Sequence, residues 1–388
     1  MRWWVFVYII GLASCLCEKP QQEPAEVAGI QLLGALPSRA VDPANNPSTP
    51  EKVALGRLLF YDPILSGDRD VACATCHLPE FNYAEFLETS IGVNGQGSGT
   101  KRHFKLPNDI PFTKRNAQAV LNAAFNGIEN NKAYQAEMAP MFWDNRAKGL
   151  EEQALLPIKT LEEMRGRQYS EEEILPEVLR RLRKNPIYQG QFESVFGSES
   201  EAVTEQNLAK ALACYERSLI APNSRFDQYM RGDSMALSLG EKEGMNLFLK
   251  MGCAQCHSGP MFSDYKLHTL GVPDSKNRAE SDSGANGQYA FRTPSLRNLR
   301  FTAPFMHSGQ FATLQQVLLF YEDIAGGKVL NPRVKPEQID TLARGMDVNF
   351  KDISRVVEFL QTLNDDNFDK SVPERVPSGL PVKGNIEN

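Results

Sequence analysis

Two copies of the pattern Cys-x-x-Cys-His constrain this 388-residue chain more than any other feature. The second copy begins at Cys253, 180 residues after the first begins at Cys73. Each copy brings two thiols and an imidazole together, and c-type haem is attached through such thiols while the histidine ligates its iron. A single copy would also fit half of a zinc site, but two copies favour haem. We therefore predict two covalently bound haem c groups, on Cys73, Cys76 and His77 and on Cys253, Cys256 and His257.

The amino terminus predicts export. Its sequence, MRWWVFVYIIGLASC, combines one basic residue, a short apolar run and small residues. Such a run is too short to span a membrane and is typical of a signal peptide, here over residues 1–14. Cys15 ends a sequence that resembles a lipobox and predicts a lipid anchor, with an ordinary cleavage site as the alternative. We expect a periplasmic, membrane-anchored lipoprotein in which the Pro-, Glu- and Gln-rich residues 15–45 form a tether.

The charge balance excludes nucleic acid as an expected partner. The chain has 42 Lys and Arg against 48 Asp and Glu, which gives a net charge of -6. Nucleic-acid binding needs a basic surface, and the sequence has no long run of Lys or Arg.

Helical periodicity dominates the remainder of the sequence. Apolar residues recur at helical spacing in Thr49–Phe60 and Glu241–Met251, so each CxxCH motif follows a predicted helix. The capping boxes that begin at Ser170 and Thr313 predict two more helix starts. Strand-like alternation is nearly absent, and connections such as 91–115 are long and polar. We predict a mostly α fold with two c-type haem domains, each resembling a helical cytochrome c, and with long loops.

Three further histidines, His103, His268 and His307, are candidates for the remaining axial position of either haem. Each could ligate iron, contact a haem propionate or be a structural polar residue, and the sequence leaves these alternatives open. The choice matters because two protein ligands make an electron carrier, whereas an open position makes a catalyst.

Several segments of the chain match those of a known family. They include LGRLLFYDPILSGDRDVACATCH, RNAQAVLNAAFN, FWDNRAKGLEEQALLPI and RTPSLRNLRFTAPFMHSGQFATL. In this order, from about residue 50 to about residue 325, they resemble the bacterial di-haem cytochrome c peroxidase family, which includes the tyrosine-ligated enzyme MauG. The resemblance implies a mostly helical protein with two haem domains and one calcium ion between them.

The chain is expected to divide near residues 218–225, where an apolar helix gives way to Ala-Pro-Asn-Ser. Together with the resemblance, this seam predicts an N-terminal, peroxidatic haem domain over 46–218, a C-terminal, electron-transfer haem domain over 219–345, and a tail over 346–388 that packs back on the first domain.

The resemblance also implies roles for individual residues. The haem on His77 is the peroxide site and the haem on His257 the electron-transfer site. Trp143 matches a tryptophan between the haems, and Gln153 and Glu163 match residues beside the bound peroxide, where a buried carboxyl can move a proton. The implied calcium ligands are Asn116, Thr302 and Pro304, the last two through their carbonyls.

Two departures from the common family pattern distinguish the haems. Family members that need reductive activation have a histidine where this chain has Val93, and valine does not ligate iron. The first haem is therefore expected to be open unless His103 reaches back to it. The usual methionine ligand of the second haem, 14 residues after the position of His307, is replaced by Tyr321, as in MauG. A phenolate lowers the potential of ferric haem, and Met306 is the competing ligand candidate.

These observations leave three hypotheses. The first is an exported peroxidase that reduces hydrogen peroxide to water with electrons from a small cytochrome or cupredoxin. The second is a MauG-like oxidase that uses a bis-ferryl state to modify a protein or small molecule. Val93 and Tyr321 favour it, but MauG transfers oxidising equivalents through a tryptophan where this chain has Met251. The third is an electron carrier or redox sensor with both haems capped, which requires a ligand for the first haem, and His103 is the only candidate in the sequence.

Overall fold

The computed structural model describes residues 29–130 and 132–386, together with Met1. The predicted signal peptide beyond Met1, the predicted lipid site at Cys15 and the first part of the predicted tether lie outside the described residues. About 40% of the chain is helical, and the strands are two or three residues long. The predicted mostly helical class is confirmed. Within the described residues, no helix has the length and apolar content that crossing a membrane requires.

The first half of the chain contains the helix before the first CxxCH motif, a short helix within that motif and a group of later helices. These are α1 (Pro50–Tyr61), α2 (Cys73–Cys76), α3 (Gly149–Gln153), α4 (Leu156–Lys159), α5 (Glu171–Lys184), α6 (Pro186–Phe196) and α7 (Glu205–Ser218). The helices of the second half are α8 (Arg225–Met230), α9 (Leu239–Lys250), α10 (Leu314–Ala325), α11 (Thr341–Arg344) and α12 (Ile353–Gln361).

The described strands form three antiparallel pairs, which close loops rather than build a sheet. They are β1 (Gly95–Gln96) with β2 (His103–Phe104), β3 (Pro140–Met141) with β4 (Ala147–Lys148), and β5 (Leu267–Thr269) with β6 (Ala290–Arg292).

The helix before each CxxCH motif packs against a later helix at a glycine. In the first half, α1 packs against α7, and a Cβ on Gly56 would lie 1.9 Å from Ala211 O. In the second half, α9 packs against α12, and a Cβ on Gly244 would lie 2.1 Å from Arg355 O. Neither approach leaves space for a side chain, so glycine permits both helix crossings. The two halves thus repeat one packing arrangement.

The predicted capping boxes both start helices. Glu173 Oε2 accepts from Ser170 N at 2.9 Å at the start of α5. At the start of α10, Thr313 Oγ1 accepts from Gln316 N at 3.2 Å. These contacts satisfy backbone groups that the first helical turn leaves unpaired.

Segments near both ends of the described chain contribute to its cores. The apolar face of α12, including Phe359, covers α9 in the second core. A later part of the predicted tail contacts the first half of the chain, with Val376 in the first core and Lys383 N donating to Tyr61 O at 3.0 Å. Within the predicted tether, Leu33 and Leu36 are buried.

Candidate functional site

A cavity of about 620 Å³ is lined by residues from both halves of the chain, including both CxxCH motifs. All the predicted site residues line it: Cys73, Cys76, His77, Asn116, Trp143, Gln153, Glu163, Cys253, Cys256, His257, Thr302, Pro304 and Tyr321. The structure therefore brings these residues together, while the role of each remains a prediction.

The histidine of each CxxCH motif is oriented by a backbone carbonyl. His77 Nδ1 lies 2.9 Å from Tyr83 O, and His257 Nδ1 lies 2.9 Å from Phe262 O. A carbonyl only accepts hydrogen bonds, so Nδ1 carries the proton in both rings and Nε2 keeps its lone pair. Burial lowers the pKa of both histidines, which keeps them neutral. Each imidazole is thus prepared to ligate a metal through Nε2.

The four motif cysteines are free thiols. Burial raises the pKa of the Cys73, Cys76 and Cys253 thiols above the ordinary range. The histidine that follows each second cysteine completes the pattern used for haem c attachment, and this pattern occurs twice.

Arg292 indicates that the cavity takes an anionic group. Its guanidinium lines the cavity and is buried, donating to Phe142 O at 2.8 Å and to Gln118 Oε1 at 3.3 Å. Neither acceptor is charged, and burial lowers the pKa of Arg292 to about 10. Haem carries propionate carboxylates that would balance such a buried cation. The cavity therefore fits haem, which supplies a redox-active iron when bound.

Glu163 lies on a π-helical turn, Leu161–Arg165, and lines the cavity. Burial, reinforced by the neighbouring Glu162, raises the pKa of Glu163 to about 7. Gln153, the last residue of α3, lines the same cavity. A carboxyl group with a pKa near neutrality can both accept and release a proton at ordinary pH. This chemistry matches the role that the resemblance implies for Glu163.

The two residues that bear on the openness of the first site lie away from the cavity wall. Val93 is buried in the first core. His103 is exposed on β2, where its Nδ1 lies 3.0 Å from Lys101 O. Within the described residues, neither side chain lines the cavity. The hypothesis that His103 caps the first haem therefore loses its support.

Two buried carboxyl groups near the first motif were missed by the sequence analysis. Glu216 lies on α7 and lines the cavity, and burial beside Glu151 raises its pKa to about 8. Glu85 is 1% exposed, and burial raises its pKa to about 7. Neither carboxyl oxygen of Glu85 has a hydrogen-bond partner among the described residues. Glu216 could have been identified from the sequence, because it lies inside an apolar run. The sequence around Glu85 offers no such signal.

Tyr321 lies on α10 beside the second CxxCH motif. Burial, together with the neighbouring Cys256 and Cys253, raises the pKa of its phenol. Met306, the competing ligand candidate, lines the same cavity. Met251, which stands where MauG has its tryptophan, is buried in the second core.

His268 is held between two carboxylates rather than facing a metal. Its Nδ1 lies 2.7 Å from Asp340 Oδ2, and its Nε2 lies 3.0 Å from Asp264 Oδ2. The hydrogen bond with Asp264 is the main cause that raises the pKa of His268 to about 11. Cys256, Asp264 and His268 lie close enough together to hold a metal ion. However, both ring nitrogens of His268 already contact carboxylate oxygens, so we assign His268 to the ion pairs.

Trp143 contacts both halves of the chain. Its Nε1 donates to Asn116 O at 2.9 Å, and its own carbonyl accepts from Arg292 N at 2.6 Å. Its ring meets the ring of His307 edge to face, with centroids 6.3 Å apart. Burial lowers the pKa of His307 to about 3, so this imidazole is neutral. Trp143 therefore joins a residue before the predicted seam to residues after it.

Asn116 offers one oxygen of the kind that calcium prefers. Its Nδ2 donates to Leu87 O at 2.8 Å, and no described residue donates to its Oδ1. Thr302 and Pro304 line the same cavity. A side-chain amide oxygen and backbone carbonyls are suitable donors for a hard cation. The donor set therefore fits the calcium ion that the resemblance implies.

Comparison with known proteins agrees with this geometry. A sequence model of the family described as di-haem cytochrome c peroxidase matches residues 50–235. The chain is 33% identical over 363 residues to methylamine utilization protein MauG of Methylorubrum extorquens, covering 91% of this chain and 88% of that protein. The chain belongs to the di-haem cytochrome c peroxidase family. A di-haem family implies two haem c groups, as the two CxxCH motifs predict.

Other members of the di-haem peroxidase family are about as similar. Cytochrome c551 peroxidase of Nitrosomonas europaea is 32% identical over 349 residues, covering 88% of this chain and 87% of that protein. A solved structure, a MauG-like protein associated with microbial copper homeostasis, has a TM-score of 0.68 and is 26% identical, covering 85% of this chain and 95% of its own. The relatives therefore include both peroxidases and MauG proteins.

Proposed function

We propose that this di-haem family member is an exported peroxidase that reduces hydrogen peroxide to water with electrons from a small cytochrome or cupredoxin. Several relatives are named cytochrome c peroxidases, which supports a peroxide-acting oxidoreductase. The observation that carries the proposal is the unequal lining of one cavity. A carboxyl with a pKa near 7, Glu163, lies in a wall shared with the first motif, and a phenol, Tyr321, lies beside the second.

The chemistry at the first site is a proton movement that Glu163 can perform. Reduction of one hydrogen peroxide consumes two electrons and two protons and yields two waters. The Glu163 carboxylate takes the proton from one peroxide oxygen and returns it to the other, so that this second oxygen leaves as water. Gln153 has both an amide donor and a carbonyl acceptor with which to orient peroxide.

Electrons enter at the second site in this proposal. There His257 and Tyr321 would hold the haem, which would supply a one-electron redox centre. Trp143 would carry electrons from the second site to the first, and its contacts with both halves of the chain support this role. At the first site, His77 would hold the haem, and the burial of Val93 in the core and the exposure of His103 support a site that is accessible to peroxide.

The proposal is tested by comparing Glu163→Gln with Glu171→Gln. Glu171 is exposed in the first turn of α5, so its variant is a matched control for the loss of one carboxylate. Peroxide-dependent oxidation of a reduced cytochrome c is measured without prior reduction of the enzyme. We expect Glu163→Gln to lower kcat/KM for peroxide by about 10²- to 10⁴-fold, as for loss of a general acid-base group. An unchanged rate would contradict the proposed role.

A MauG-like oxidase is the second candidate, and the tyrosine beside the second motif favours it. Its distinguishing property would be two oxidising equivalents shared by both haems after one peroxide. A near-infrared band after peroxide, with slow oxidation of reduced cytochrome c, would favour this candidate over the peroxidase. Burial of Met251 argues against electron transfer to a protein through that position.

The anchor, the compartment and the calcium ion are further parts of the proposal. A Cys15→Ser variant is expected to move the protein from the membrane fraction to the soluble periplasmic fraction. Retention in the membrane fraction would contradict lipidation at this cysteine.

One calcium ion per chain is expected by elemental analysis, and Asn116→Ala is expected to lose it.

A further inference from the structure

Arg102 is a buried cation whose hydrogen bonds all end on backbone carbonyls. The residue is 4% exposed. Its Nε donates to Ile91 O, and its Nη2 donates to Gly92 O at 2.8 Å. Its Nη1 donates to Gly97 O at 2.9 Å and to Asn385 O at 3.0 Å. One side chain thus connects three separate stretches of backbone.

Such an arrangement fixes the loop that it contacts. A buried guanidinium is costly unless its donors are satisfied, and its planar group holds acceptors in a rigid geometry. The carbonyls of Ile91, Gly92 and Gly97 therefore cannot move apart without leaving donors of Arg102 unpaired. The bond to Asn385 adds the end of the described chain to the same set of contacts.

The loop held by Arg102 contacts the turn that carries Glu163. A Cβ on Gly92 would lie 2.2 Å from Glu163 O and 2.3 Å from Glu162 O, so the two backbones are in direct contact. On another side of the turn, Gly67 N donates to Met164 O at 2.8 Å. The turn has no side-chain cap of its own. Gly92 is therefore one of the contacts that fix the turn, beside the Gly67 hydrogen bond and Arg165, whose Nε donates to Lys159 O at 2.8 Å.

We propose that Arg102 is a positioning residue for Glu163. By holding Gly92 against the Leu161–Arg165 turn, it determines where the Glu163 carboxyl lies in the cavity. Asn385 takes part in the same contact through its carbonyl. The inference rests on the proposed function, because Glu163 is given its role there.

The variants separate positioning from general stability. Arg102→Gln removes the cation and most donors, whereas Arg102→Lys keeps the charge without the planar geometry. Arg167→Gln is the matched control. Arg167 is an exposed arginine just after the Leu161–Arg165 turn, and it forms an ion pair and a hydrogen bond with Asp109. Deletion of residues 385–388 removes the Asn385 carbonyl and leaves Arg102 in place. The lysine variant and the deletion keep the test available if the glutamine variant fails to fold.

The experiment measures the second-order rate constant for the reaction of the holoprotein with hydrogen peroxide. Each variant is measured both with native Glu163 and in the Glu163→Gln background. We expect Arg102→Gln to lower the rate constant by about 10²-fold, since a displacement of about 1 Å can cost this much. Arg102→Lys should restore part of the loss, the deletion should give a smaller loss, and Arg167→Gln should leave the rate unchanged. In the Glu163→Gln background, Arg102→Gln should have no further effect, because both changes disable one group.

Hydrogen exchange supplies a readout that does not depend on activity. In the Arg102→Gln protein, we expect faster exchange both in residues 91–97 and in residues 161–166. Additive losses in the double variant, or an unchanged peroxide rate with faster exchange in the loop, would overturn the positioning role. If Glu163→Gln alone leaves the rate unchanged, the proposed function fails, and coupled exchange of the two segments then still decides whether Arg102 holds the turn.

Discussion

The two CxxCH segments orient their histidines in the same way, but they differ in the surroundings of a nearby carboxyl group. In each, the histidine Nδ1 lies 2.9 Å from a backbone carbonyl, that of Tyr83 or Phe262, and a carboxylate residue follows two positions later. That residue is Glu85 in the first segment and Asp264 in the second. Glu85 has no hydrogen-bond partner among the described residues, whereas Asp264 accepts hydrogen bonds from His268 and Thr293.

The difference reverses the direction of the pKa shift. Burial raises the pKa of Glu85 to about 7. Burial alone would also raise the pKa of Asp264, but the hydrogen bonds from His268 and Thr293 outweigh it and lower that pKa. Local sequence thus sets the histidine geometry, while distant segments decide the charge around each site.

The largest expected effect comes from replacing the proposed ligand of the second site. Tyr321→Phe should raise the reduction potential of the second haem by roughly tenths of a volt, because axial ligands span about 0.8 V. Loss of an anionic phenolate removes the preference for ferric iron. A spectroelectrochemical titration of each haem measures the effect, with Met306→Leu as the control expected to change little. If Met306→Leu gives the larger shift, Met306 is the ligand.

The next effect concerns the pH dependence of the first site. The carboxylate form of Glu163 is the form that accepts a proton from peroxide, and burial raises its pKa to about 7. The second-order rate constant for the reaction with peroxide should therefore rise by about 50-fold from pH 5 to pH 7, and by about a further twofold to a plateau above pH 8. Stopped-flow measurements on Glu163→Gln should give a low rate without this inflection. An inflection that persists in the variant would assign it to another group.

The features that could be predicted from the sequence are those set by local sequence, and the features that could not are those set by distant segments. The CxxCH motifs, the helices before them and the capping box at Ser170 follow from local patterns, and the structure has them. Glu163 alone resembles a solvated residue in TLEEMRGR, and only the resemblance singled it out. Arg102 and Glu85 gave no signal, because their importance arises from burial against segments far away in the chain. Tertiary contacts of this kind have no local pattern.

Removal of the two comparable carboxylates should change stability in opposite directions. Between about pH 4.5 and pH 7, folded Glu85 keeps a proton that the unfolded chain has released, so the free energy of unfolding falls as pH rises. Glu85→Gln removes this loss. The free energy of unfolding of the variant minus that of the native protein should therefore be about 2–3 kcal/mol larger at pH 8 than at pH 5. Urea unfolding of both proteins at both pH values measures the difference.

Asp264→Asn is the matched variant at the second site. The lowered pKa of Asp264 means that its stabilising effect is present above the pKa of the unfolded carboxyl, near 4, and is lost as pH falls. The variant should therefore be less stable than the native protein at pH 7 by about 2 kcal/mol, with a smaller difference at pH 3. Equal and pH-independent changes in both variants would remove the proposed contrast between the two segments.

The smallest expected effect concerns Trp143, which lies in the wall shared by the two sites. Trp143→Phe keeps an aromatic ring but loses the hydrogen bond to Asn116 O, so it should cost about 1 kcal/mol of stability. If Trp143 serves electron transfer between the haems, the first reaction with peroxide should keep its rate, while turnover with reduced cytochrome c slows. Rapid mixing with peroxide alone, followed by steady-state turnover, separates these steps. A loss confined to the first reaction would instead connect Trp143 with the peroxide site, and it would contradict the proposed role of Trp143 in electron transfer between the haems.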